Sequence, residues 1–191
     1  MNINITDFKT SKLTKTQFVH PVKISYLQDG QPRVWEAVKS HDSVSILLYH
    51  TQKDTFVLVK QFRPPVYLTD KNFLFTYELC AGIVDKNCSL EQIAKEEIFE
   101  ECGYDVKIQN IQKISSFFTN VGISGAKQYL YFATVDESMK VHEGGGIHTE
   151  QIELEYLKLS DAKKFLYDES KAKTPGLMFA FMWYFDEYNR T

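Results

Sequence analysis

Cysteine is scarce in this chain: Cys80, Cys88 and Cys102 make an odd three, with no CxxC pair and no accompanying histidine. That excludes a disulfide-stapled framework and a structural zinc site, and leaves reduced thiols in a cytoplasmic setting as the expectation. Long apolar runs are missing as well. Nothing approaches the ~18 consecutive apolar residues of a membrane span, and MNINITDFKTSKLTKTQF lacks the apolar stretch of a secretion signal. Neither sign of charge is in excess. Twenty-two basic and 25 acidic residues give a net charge of −3, which removes the electrostatic case for nucleic acid or an anionic membrane as a partner. No internal repeat, low-complexity tract or long linker occurs.

What is present is the composition of an ordinary globular protein, 43% hydrophobic and 25% charged over 191 residues. That length suits one domain with a small extension. From Phe18 to Lys39 two β-rich segments flank Asp29-Gly30, a strong hairpin signal. Two strands alone are marginal, so the hairpin is expected to lie on its own domain or on a second subunit. SVSILLYH and FVLVKQF read as central strands, and Pro64-Pro65 should stop the second and begin a loop, leaving Arg63 at a strand end. TYELCAG, KISSFF, QYLYFATV and IELEYLKL read as further strands. HEGGGIHTE reads as flexible loop, Ser160 as a cap for DAKKFLYD, and Thr174-Pro175 as the start of a last, apolar helix. The expectation is an α/β protein: an α/β/α sandwich with a mixed sheet, residues 41–191, behind an N-terminal β extension, residues 1–40.

The stretch GIVDKNCSLEQIAKEEIFEECGY, residues 82–104, carries the chemistry. Ser89 with Gln92 has capping-box spacing, and Gly103 suits a left-handed helix end. Stepping about 100° per residue puts Leu90, Ile93 and Ala94 on one face, which Glu97, Glu100 and Glu101 continue. Carboxylates at a helix C-terminus oppose the dipole, and Glu97 and Glu101 repel at i, i+4, so something positive should sit there. Oxygen-only ligands suit a hard divalent cation, Mg²⁺ first, with Mn²⁺ as its substitute.

Gly82, Glu97, Ile98, Glu100, Glu101 and Gly103 fall at the spacing of the Nudix box, and the stretch resembles that box. Two positions depart from it: Cys88 stands where the pattern has its first Glu, and Glu96 where it has Arg. In the family that Arg helps orient the catalytic loop, and Lys95 or Lys60 is the cation available to replace it. HDSVSILLYH, LVKQFRPPVY and ELCAGIVD extend the resemblance to the nucleoside diphosphate sugar pyrophosphatase branch of the Nudix hydrolases, close to the ADP-ribose pyrophosphatases. The resemblance implies the Nudix fold, and hydrolysis of a UDP-glucose-like substrate to nucleoside monophosphate and sugar 1-phosphate. It also implies a homodimer through N-terminal strands, the Ala81 carbonyl as a further metal ligand, and Glu78 near the substrate. ADP-ribose hydrolysis and a non-catalytic nucleotide-binding module are the alternatives, the latter because of Cys88 and Glu96.

The reaction needs clustered carboxylates to hold cations that cancel diphosphate charge, and it needs a general base. Glu97, Glu100 and Glu101 supply the first. By resemblance the base comes from the acidic loop beyond the box, where Glu150 is the first candidate, Glu153 the second and His148 a relay. The guanidinium fork of Arg63 matches a diphosphate. Phe62, Tyr67 and Phe117 are left between stacking a base and filling the core.

Overall fold

The structure, a computed structural model, describes residues 3–16, 19–147 and 150–188. Phe18, the expected hairpin start, and His148 lie outside them. Strands β1 (His20–Gln28) and β2 (Gln31–Lys39) pair antiparallel from His20↔Lys39 to Gln28↔Gln31. Asp29 and Gly30 both take positive φ, 53° and 75°, as the tight turn between right-twisted strands demands. This ribbon is a sheet of its own, and both strands are exposed along almost their whole length. It meets the rest of the chain through Trp35 Nε1, which donates to the Gly122 carbonyl at 2.9 Å, and Val38 N–H, which donates to the Ile123 carbonyl at 2.9 Å.

The main sheet has eight strands: β3 (Ser43–His50), β4 (Thr55–Gln61), β5 (Thr76–Glu78), β6 (Cys80–Ile83), β7 (Gln112–Phe118), β8 (Lys127–Val135), β9 (Ile152–Lys158) and β10 (Ala172–Lys173). β3 and β4 form a hairpin only near its turn, Leu48↔Val57 to His50↔Thr55, and then diverge. The chain from Thr76 to Ile83 fills the fork. β5 pairs with β4 and β6 with β3, so one expected strand breaks at Leu79 to serve two neighbours. β8 runs parallel to β3, β7 is antiparallel to β8, and β9 covers the other side of β4.

Alternation explains the two layers of core. Val44, Ile46, Leu48, Val57 and Val59 face α2 (Leu90–Cys102), meeting Ile93, Ala94, Ile98 and Cys102. Leu47, Phe56 and Leu58 face the opposite way, onto α3 (Leu159–Leu166) and α4 (Pro175–Trp183). Strands buried on both sides need continuous apolar sequence, which SVSILLYH and TFVLVKQ provide. The expected sandwich with a mixed sheet is therefore present.

Several local expectations change. Pro64 and Pro65 do not open a loop but the short helix α1 (Pro64–Thr69), because proline's fixed φ and missing N–H suit a first turn. α3 begins at Leu159 directly after β9 with Lys158 at its cap, so Ser160 lies inside the helix rather than capping it. Thr174 does cap α4 through the Leu177 N–H, with Pro175 at its start. One face of α4 is core, while Met178, Phe179 and Met182 stay partly exposed on the other.

Candidate active site

The helix at the centre of the site ends as the sequence predicts and begins half as predicted. Ser89 Oγ accepts from the Gln92 N–H at 3.1 Å, but the Gln92 amide turns along the helix to Glu96 at 2.8 Å instead of completing the box. Gly103 closes the helix at φ 74°, where a Cβ would lie 1.9 Å from the His142 carbonyl oxygen.

Part of the positive character expected at the helix C-terminus comes from donors to its last carbonyls. Gly145 N–H donates to the Glu101 carbonyl at 2.9 Å, Gly146 N–H to the Glu100 carbonyl at 3.2 Å, and Lys140 Nζ to the Cys102 carbonyl at 3.0 Å. These donors occupy free carbonyls of the last turn. The glycine run is thus bonded onto α2 rather than standing away as a loose lid. Gly144, Gly145 and Gly146 all take positive φ, and a Cβ on Gly144 would come 2.3 Å from the Glu101 carbonyl oxygen.

β6 brings Ala81 and Gly82 against α2. Ala81 N–H donates to Glu101 Oε2 at 2.9 Å. A Cβ on Gly82 would stand 2.0 Å from Glu97 Oε1, so only glycine lets that carboxylate lie across the strand. Arg63, at the end of β4, reaches Glu78, at the end of β5, through two parallel bonds of 2.8 Å from Nε and Nη2. Thr76 Oγ1 also donates to Glu78, at 2.5 Å. Glu78 therefore fixes the guanidinium plane at the rim of the fork.

These groups line one cleft of about 470 Å³: Arg63, Glu78, Ala81, Glu97, Glu100, Glu101 and Glu150. Glu150 is positioned by its own loop, where Oε2 accepts the Ile147 N–H at 2.9 Å. Burial pushes Glu97 up to about 7, with the charge of Glu100 adding to it. Burial pushes Glu101 up further, to about 8, against the lowering effect of the Ala81 N–H. Acids held this far above their ordinary range call for a cation. Among the described residues the acids do not form a finished ligand cage. The donor set of carboxylate oxygens and the Ala81 carbonyl, at the mouth of an open cleft, fits a hard divalent ion that keeps waters and shares substrate oxygens.

Glu153 stands elsewhere, on β9 opposite Lys60, with Nζ to Oε1 3.7 Å. The two cations expected to stand in for the box Arg both face other acids. Lys60 is engaged with Glu153, and Lys95 with Asp105 at 3.2 Å. Lys86, in the loop before the helix, instead donates from Nζ to Glu96 Oε2 at 2.6 Å, and it lines the same cleft. The readable signal was a lysine in the loop before a helix whose box Arg had become an acid. Phe62 and Tyr67 meet edge to face at 5.5 Å, and Phe117 meets Phe179 at 5.9 Å, so these rings pack with one another and do not line the cleft. All three cysteines are free thiols, with Cys80 and Cys102 buried behind the site and Cys88 exposed. No helix among the described residues is long and apolar enough to cross a membrane.

The NUDIX domain profile matches residues 39–175. Among curated proteins the chain is 34% identical to a uridine diphosphate glucose pyrophosphatase of Bos taurus, over 88% of each chain. It is 32% identical to that of Mus musculus over 89% of each. A GDP-mannose pyrophosphatase of Pectobacterium atrosepticum is 32% identical over 71% of this chain and 69% of its own.

Proposed function

The chain belongs to the NUDIX family, and on that premise we propose that it hydrolyses the diphosphate of a nucleoside diphosphate sugar, UDP-glucose serving as the model substrate. The products are a nucleoside monophosphate and a sugar 1-phosphate. The observation that carries this reading is a single cleft holding a buried carboxylate, Glu101, and a half-buried one, Glu97, together with a guanidinium locked in place by Glu78. Relatives whose names specify UDP-glucose and GDP-mannose supply the substrate class.

Glu97, Glu100, Glu101 and the Ala81 carbonyl would hold the metal, Mg²⁺ first and Mn²⁺ as substitute. When bound, the ion neutralises diphosphate charge and acidifies water. Arg63 presents its remaining N–H groups to the diphosphate, with Glu78 fixing its plane. Glu150 takes the proton of the attacking water, its carboxylate oriented through the Ile147 N–H. Glu153, committed to β9 opposite Lys60, is the weaker base. We assign residues 1–40 to a dimerisation extension and residues 41–191 to the catalytic domain, in a reducing cytoplasmic setting that keeps the thiols free.

The experiment is product formation from UDP-glucose, GDP-mannose and ADP-ribose, with Mg²⁺ and with chelator, beside Glu101→Gln. UDP-glucose or GDP-mannose should lead, chelator should abolish turnover, and Glu101→Gln should lower kcat by about a hundredfold or more with an unchanged circular dichroism spectrum. ADP-ribose in the lead would move the substrate, and near-normal turnover by the variant would refute the site.

A further inference from the structure

The loop from Val84 to Ser89 joins the two halves of the site, β6 with Ala81 and Gly82 behind it and α2 with its three glutamates ahead. One contact spans it. Lys86 Nζ donates to Glu96 Oε2 at 2.6 Å, while Gln92 Nε2 donates to Glu96 Oε1 at 2.8 Å, so both carboxylate oxygens are occupied. The pair is half exposed, 46% and 32%, and such pairs contribute little to stability. Its position, rather than its strength, is what matters. Lys86 lines the cleft beside Glu97 and Glu100, and its charge opposes the upward shift of Glu97.

In the box pattern the loop carries the acid, at position 88, and the helix carries the base, at position 96. Here the loop carries a cation, Lys86, and the helix an acid, Glu96, so the charges of loop and helix stand exchanged. The nearby cations Lys60 and Lys95 face Glu153 and Asp105, leaving Lys86 as the partner of Glu96. Without Glu96, the Lys86 ammonium would be drawn to the nearest acids of the cleft, Glu97 and Glu100, where it competes with a divalent cation.

We infer that Lys86 and Glu96 are positioning residues, a charge-exchanged latch that fixes the 84–89 loop against α2 and holds the ammonium off the carboxylate cluster. The inference rests on the diphosphate hydrolysis proposed above. Its first test avoids substrate: calorimetric Mn²⁺ binding to the full chain and to Glu96→Gln, Glu96→Lys and the double exchange Lys86→Glu/Glu96→Lys. Glu96→Gln should weaken Mn²⁺ binding about tenfold, Glu96→Lys more, and the double exchange should recover most of the loss.

The Mg²⁺ concentration for half-maximal turnover of UDP-glucose should follow the same order, with KM for the sugar nucleotide little changed. Wild-type metal affinity in Glu96→Gln, or a double exchange no better than Glu96→Lys, would overturn the latch. Glu96→Gln preserves shape and tests the idea even if the lysine variant fails to fold. If wild type cleaves no nucleotide sugar, the proposed reaction falls while the Mn²⁺ series still decides the latch.

Discussion

Glu101 combines two functions that oppose each other energetically. Its carboxylate ties β6 to α2 through the Ala81 N–H, and it sits only 6% exposed within reach of Glu97 and Glu150. Folding therefore raises it to about 8 and Glu97 to about 7, from ordinary values of 4.5. Between those values the folded chain holds protons that the unfolded chain has released, so stability falls as pH rises from about 5 to about 8. The stabilisation is fully present only below the ordinary carboxylate range. In chelator the melting temperature should drop across that window, and excess Mg²⁺ should flatten the drop by replacing the protons. Equal slopes with and without Mg²⁺, or a rise with pH in chelator, would refute the assignment of these acids to a cation site. The pattern of the box made Glu97, Glu100, Glu101 and Gly82 legible from sequence. The 2.0 Å clearance that demands Gly82 was not, because it depends on where a carboxylate from α2 crosses a strand 15 positions earlier in the chain.

Elements were most legible where local chemistry fixes a boundary. Ser89, Gly103, Thr174 and Asp29-Gly30 each act within a few residues of themselves, and each stands where the sequence puts it. The half-formed capping box yields a defined expectation for α2: Ser89→Ala removes one N-cap bond and should cost about 1 kcal/mol, read by urea unfolding at unchanged slope. No change in midpoint would show the cap to be idle. Boundaries failed where two local readings compete. Pro64-Pro65 both ends a strand and starts a helix, and sequence favoured only the ending. The glycine run looked like a free loop because its partners, the last carbonyls of α2, are about 45 positions earlier in the chain.

At the scale of the molecule, the hairpin of β1 and β2 leaves Ile24, Tyr26, Val34 and Trp35 between 42% and 55% exposed. The dimer proposed through this ribbon would cover those side chains, while two hydrogen bonds among the described residues, to Gly122 and Ile123, tie the ribbon to its own domain. Light scattering of the full chain should give about twice 22.2 kDa, and Trp35→Glu should shift it toward the monomer. A monomeric wild type would remove the dimer. The family profile begins at residue 39, where β2 ends.

The alternating and continuous apolar strands, the helix with its caps and the spacing of the carboxylates can all be read along the chain, since they follow from periodicity and from bonds between near neighbours. The tertiary structure alone decided that β3 and β4 diverge and that residues 76–83 split between them. That split puts Glu78 under Arg63 and Gly82 under Glu97. It also decided that Lys86, rather than Lys60 or Lys95, meets Glu96. Side chains from separate elements meet according to where sheet and helix pack, and charge alone cannot rank three lysines until packing has set their distances.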